Sequence, residues 1–308
     1  MTLFQRLRAI VPKRPGRLRP VRVVTDSTAD LPPEVARELE ITVIPLQVLF
    51  GNEAFRDGID LSTAEFFRRL ESAPELPRTS QPSVGDFRSV YEEVAKTTER
   101  IISIHVSSRF SGTVEGARLA ARELIGKCNI DVIDSGTVSM AMGLAVIAAA
   151  RAARDGADLD ACAAIARSVL RRQRLAVALD TLEYLRRGGR IGRAQAFLGG
   201  LLRLKPIVTV REGETFPLTR VRTRKKALEE LLRICLDGGG VQEAVVMQAT
   251  TPDDARYLAD EVAKRCPGVP VHLGTMGPVI GVHGGPGIIG LAVVTDQEQP
   301  DAPKAGRA

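Results

Sequence analysis

The sequence has no tryptophan, and its aromatic residues make up only 4% of 308. Any ligand cavity must therefore be walled mainly by Leu, Ile, Val and Ala, which suit an alkyl chain better than a stacked base. Histidine is nearly as scarce. His105, His272 and His283 are the full set, too few and too scattered for metal-ligand spacing, so no metal site is expected. Cys128, Cys162, Cys235 and Cys266 form no CxxC pair. They read as reduced, buried thiols, which points to a cytoplasmic protein. No run reaches the ~18 apolar residues of a spanning helix; the richest, Met140 to Ala150, is stopped by Arg151.

Acidic residues are absent from residues 1–20, which hold Arg6, Arg8, Lys13, Arg14, Arg17 and Arg19. The chain has 43 basic and 37 acidic residues, a net charge of +6, so these six account for the whole excess. The balanced remainder is a poor electrostatic footprint for nucleic acid, and no such partner is expected. Leu3, Leu7, Ile10 and Val11 fall at roughly helical spacing before prolines break the pattern. Residues 1–20 read as a disordered basic extension. The alternative is a short surface-seeking helix, which would add transient membrane-surface contact.

What remains is ordinary globular composition, with 44% hydrophobic and 26% charged residues, enough for one large domain or two medium ones. From Val21, short β-rich runs alternate with helical patterns. VRVVTD, IISIHV and IDVID read as buried strands, and Ser62 with Glu65, then Ser83, mark helix starts. These are βα units feeding a parallel sheet. An Ala-rich helix after Val138 and a second from Leu159 to Gln173 precede a different rhythm. Its strands are LAVALD, PIVTV, Phe216 to Val221, AVVMQA, Val269 to Leu273 and IIGLAVV; its helices run from Thr223 to Leu236 and Pro252 to Arg265. PIVTV and FPLTRV, joined by Arg211 to Glu214, suggest a hairpin and hence a mixed sheet. The expected class is α/β in two domains. Residues 21–158 form a Rossmann-like α/β/α domain with a parallel sheet, and 159–296 a smaller α/β domain with a mixed sheet. Residues 297–308 read as a disordered tail.

Three small-polar clusters lie at strand-to-helix junctions, where open α/β sheets collect ligands: TSQPS from Thr79, SSRFSGT from Ser107 and GVHGGPG from Gly281. Ser111, Gly112 and Thr113 open a helical pattern whose first N–H groups favour an anion. Ser111 as a plain N-cap is an equal reading. Taken singly, Thr79 reads as a turn or cap residue before Pro82, and His283 as a solvated or locally bonded residue in a Gly-rich loop.

The ordered set TDSTADLP from Thr25, FRDGID from Phe55, TSQPS, SSRFSGT, DS from Asp134, YLRRGGRIG from Tyr184 and VRTRKKAL from Val221 resembles the DegV family from about Val21 to Val294. The resemblance implies a non-enzymatic carrier with a long-chain fatty acid in a tunnel between the two domains. It also implies a fatty acid kinase as partner, which phosphorylates the carboxylate to acyl phosphate for phospholipid synthesis. ATP and magnesium belong to that kinase, and no cofactor to this chain. By the same resemblance Thr79, Ser111 with Gly112, and His283 bind the carboxylate, as neutral donors. Arg187 and Arg190 are candidate contacts for the kinase or the transferred phosphate, with helix-end ion pairing as the alternative.

Two competing readings remain. One is a serine hydrolase acting on acyl esters through Ser111, His283 and an acid such as Asp134. Arg109 and Phe110 stand before Ser111 where a GxSxG elbow needs glycine two residues back. The other is a nucleic-acid binder working through Arg220, Arg222, Arg224, Lys225 and Lys226, a cluster that reads equally as a solvated or docking face.

Overall fold

The computed structural model describes residues 21–198 and 204–298; the expected extension and nearly all of the expected tail lie outside them. The chain enters through β1 (Arg22–Asp26), buried on both faces as its Val-rich sequence requires, then α1 (Pro33–Glu38) and β2 (Thr42–Ile44). Next come β3 (Gln47–Phe50), β4 (Glu53–Arg56), α2 (Thr63–Ser72) and β5 (Arg78–Ser80), followed by α3 (Val84–Ala95), β6 (Arg100–His105), α4 (Thr113–Glu123) and β7 (Asn129–Asp134). Strands β2-β1-β6-β7 form the expected parallel sheet. Strands β4-β3-β5 form a separate antiparallel sheet that sequence reading missed. Runs of three and four residues are too short to display a period of two.

Helix starts follow the capping rule with one exchange. Ser62 accepts from Glu65 N at 3.2 Å, but the Glu65 carboxylate turns to Arg69 at 2.9 Å. The reciprocal box forms instead at α3, where Ser83 Oγ accepts from Asp86 N (3.1 Å) and Asp86 accepts from Ser83 N (2.8 Å).

Helix α5 (Met140–Arg154) is almost wholly buried and packs against α6 (Leu159–Arg171) and against both large sheets. The second sheet is built from β8 (Gln173–Ala178), then α7 (Glu183–Arg187), β9 (Lys205–Arg211), β10 (Glu214–Val221), α8 (Arg224–Leu236), β11 (Val241–Gln248), α9 (Pro252–Arg265), β12 (Val271–Thr275), α10 (Pro278–Gly284) and β13 (Ile289–Thr295). Its order is β10-β9-β8-β13-β11-β12, with β11 and β12 parallel and the other pairs antiparallel. The fold is α/β with one parallel and one mixed sheet. The expected hairpin turns at Glu212 and Gly213, both at positive φ (52° and 79°), as a two-residue turn between twisted strands favours.

Alternation along β8 divides the two faces of the mixed sheet. Ala176 and Ala178 pack with Leu228, Leu231 and Leu232 of α8, while Leu175 and Leu179 face the α5 side. Small residues on one face let α8 sit close, and large ones on the other wall the space between the sheets. Cys162 and Cys235 are fully buried, Cys128 nearly so and Cys266 half-buried, all as free thiols. Burial pushes Cys162 and Cys235 up to about 12, which keeps them protonated and unreactive. Among the described residues no helix is long and apolar enough to cross a membrane.

Candidate functional site

Between the two large sheets lies a cavity of about 180 Å³, many times the ~10–15 Å³ that one water needs. The mixed sheet supplies Leu175, Val177, Val208, Val210 and Met247; α10 supplies Val279, Ile280 and His283; the first sheet's loops supply Thr28, Val106, Phe110 and Ser111. Most of the wall is aliphatic, as the scarcity of aromatics implied.

One end is polar, and three distant segments build it. Thr79 lies on β5, not in a turn, and its Oγ1 is 3.0 Å from His283 Nε2. His283 sits in the last turn of α10 rather than in a glycine loop, because Pro278 starts a helix that runs through the first of the expected loop residues. Ser111 is not the N-cap of α4. Gly112 holds that position, and the Ser111 hydroxyl instead lies 2.8 Å from Thr113 Oγ1 and 3.5 Å from Gln81 Oε1. Gly112 itself does not line the cavity; it lies beneath Gln81, whose Oε1 is 2.7 Å from where a Cβ would stand.

Two further residues line this end, one neutral and one charged. Gln81 lines the same end. It stands one residue past the end of β5, in the same TSQPS cluster as Thr79. Arg190 also lines the cavity, its Nε donating to Phe110 O (3.1 Å) and its Nη1 to Gly188 O (2.6 Å). A cation therefore stands among the hydroxyls. Arg187 does not join it; it is exposed and ion-paired with Glu183 one turn back. Burial, helped by Arg190, pushes the His283 imidazole down to about 4, so it is neutral at physiological pH. Its Nδ1 is buried without a hydrogen-bond partner, against Gly188.

The hydrolase reading finds no support in this geometry. The hydrogen bond of His283 is to Thr79, and Asp134 Oδ1 accepts from Ser108 N and Gly136 N. A Ser–His–Asp chain does exist elsewhere. Ser103 Oγ is 2.7 Å from His105 Nε2, and His105 Nδ1 is 2.9 Å from Asp26 Oδ2. All three are fully buried, Ser103 accepts from Tyr91 OH, and none lines the cavity. It is a satisfied core network rather than a nucleophile. Within the basic cluster, Arg224 is tied to Asp254, Thr251 and Gly287 O, and Arg220 stacks over Phe197, so those two charges serve the fold.

Fold and cavity together define an α/β protein with a mostly aliphatic space between its two large sheets and a cluster of polar side chains in its wall. The chain belongs to the DegV family: the family model described as "Uncharacterised protein, DegV family" matches residues 20–296. A DegV domain-containing protein of Halalkalibacterium halodurans is 39% identical over 88% of this chain and 97% of its own. Among solved structures, a DegV family protein from Thermus thermophilus, described for its fatty acid binding, superposes with a TM-score of 0.83 at 35% identity, covering 90% of this chain and 99% of that one. DegV of Bacillus subtilis, described as a fatty acid binding protein, gives 0.82 at 34% identity with the same coverage.

Proposed function

We propose that this chain holds one long-chain fatty acid in the inter-sheet cavity and presents its carboxylate to a fatty acid kinase, without catalysing a reaction itself. The observation that carries this reading is the convergence of Thr79, Gln81, Ser111, His283 and Arg190 at one end of an otherwise aliphatic cavity. The kinase brings ATP and magnesium, works in the cytoplasm, and returns acyl phosphate for phospholipid synthesis.

Electrostatics sets which way round the acid lies. Four other hydroxyls line the wall and already donate elsewhere: Thr28 to Asp26, Ser139 to Asp30, Thr209 to Val210 O and Thr215 to Arg190 O, and the first two lead to a cluster of acids. Asp26, Asp30 and Asp57 are gathered behind them, and both Asp30 and Asp57 carry raised pKa values, chiefly from burial. Burial and the neighbouring acids disfavour a further negative charge there, whereas Arg190 at the polar end attracts one. Each hydrogen bond to the charged head contributes roughly 1.5–3 kcal/mol. The tail adds about 0.8 kcal/mol per buried methylene, on the order of 12 kcal/mol gross for a 16-carbon acid.

Native mass spectrometry of the purified protein followed by lipid extraction tests the ligand. The double variant Thr79→Ala, Ser111→Ala tests the head group: acid affinity is expected to fall by about 10- to 100-fold or more with the fold intact. Undiminished kinase-dependent acyl-phosphate production in that variant would refute the assignment.

A further inference from the structure

Gly290 occupies the middle of β13, the strand between β8 and β11, paired with Val177 on one side and Met247 on the other. Both partners line the cavity. Its backbone is not in the left-handed region, so nothing local demands glycine. A glycine inside a strand costs about 0.5–1 kcal/mol relative to alanine and usually marks a place where other atoms come close. Those atoms are two methionine methyls and, between them in distance, Val177 Cγ2 at 3.4 Å. A Cβ at this position would stand 3.2 Å from Met247 Cε and 3.5 Å from Met276 Cε.

The two methionines stand at the end remote from the head group, by two independent measures. Thr215 on β10, whose Oγ1 donates to Arg190 O at 2.7 Å, is four strands away from Met247 on β11, about 19 Å at ~4.8 Å per strand. Met276 lies two residues before α10 opens at Pro278, and His283 in its last turn is five residues further on, about 7.5 Å along the helix axis at ~1.5 Å per residue. Met247 Sδ lies 3.3 Å from Ser139 Oγ, which holds the sulfur and leaves the methyl to turn. Unbranched and polarisable, methionine can change the volume it fills by rotation alone, with no backbone movement.

Building on the fatty-acid reading, we propose that Met247 and Met276, folded over Gly290, form a movable end wall that sets the acyl-chain length the cavity accepts. Gly290 supplies the recess in which the methyls already stand, within contact distance of where a side chain would be. The methyl end of the acid meets the thioether side chains, and each methylene too many forces them to rotate aside.

The test is competition among straight-chain saturated acids of roughly ten to twenty carbons on lipid-stripped protein, read by native mass spectrometry. Gly290→Ala closes the recess and is expected to move the optimum to shorter acids, with about fourfold lower affinity per excluded methylene, the equivalent of about 0.8 kcal/mol. Met276→Ala is expected to move it to longer acids. Met247→Leu conserves volume and keeps the fold; its stiffer, branched end is expected to narrow the range of lengths bound. If Gly290→Ala does not fold, Met247→Leu and Met276→Ala decide the matter. A wild-type length profile in the folded variants overturns the end-wall proposal while leaving the carrier intact. Failure of stripped wild-type protein to take up any acid overturns the fatty-acid reading, and the end wall with it.

Discussion

Gly188 ends α7 at φ −73°, a value open to any residue, so its backbone does not call for glycine. The requirement comes from a neighbouring helix: a Cβ at 188 would fall on His283 Nδ1 of α10. The glycine pair in YLRRGGRIG thus has two different jobs, since Gly189 is at φ +68° and needs glycine for conformation. Gly188→Ala is expected to displace the imidazole from Thr79 and weaken acid binding by about tenfold or more, the usual scale of an overpacked contact. Isothermal titration with a long-chain acid reads this; an unchanged affinity would mean that His283 does not hold the head group. The same scale explains what sequence reading caught and missed here. Thr79, Ser111 and His283 lie in small-polar clusters, but taken singly they read as turn, cap and loop residues, and the family resemblance assigned them to the carboxylate. The same resemblance named Arg190 and Arg187 together, because nothing local distinguishes an arginine aimed inward from Arg187, three residues away and paired with Glu183.

Helix α10 carries His283 at one end and is anchored at the other by two buried carboxylates. Asp30 Oδ1 accepts from Gly277 N at 2.8 Å and Asp57 Oδ1 from Val279 N at 3.3 Å, while Pro278 between them has no N–H to satisfy. This gives the FRDGID segment a structural purpose: Asp57 holds the element on which the imidazole rides. Burial, opposed by hydrogen bonds from Ser27 and Val279 and reinforced by Asp26, pushes Asp57 from 3.8 up to about 6. A folded-state value above the unfolded one means that its contribution to stability is complete below about pH 4 and is lost as pH rises through 6. Asp57→Asn cannot ionise and keeps an acceptor for Val279 N–H. Its stability relative to wild type is therefore expected to rise between about pH 3 and 7, by up to about 3 kcal/mol. Urea melts across that range measure it, and a constant difference would show that Asp57 titrates normally. Capping chemistry made α2 and α3 legible from Ser62 and Ser83. The end of α10 was read as a loop, because the four glycines and histidine of GVHGGPG signal one, and its docking on α2, α7 and β3 overrides that signal.

For the molecule as a whole, the cavity is walled by both large sheets, so a bound acid bridges them. A ligand present at 100 times its dissociation constant stabilises the folded state by about 2.7 kcal/mol. Lipid-stripped protein is expected to melt several degrees lower than protein reloaded with acid. Calorimetry at increasing acid concentration checks this, and a melting temperature independent of acid would exclude binding in the native state.

The sequence alone determined the alternation of strands and helices, the parallel and mixed sheets, the buried thiols and the aliphatic character of any cavity wall. These follow from periodicity, capping and composition, which act over a few residues. Tertiary structure alone decided that Thr79 meets His283 across 204 residues, that Arg190 turns inward, and that two methionines close over Gly290. Such meetings depend on sheet register and on how helices dock, and no stretch of chain carries that information by itself.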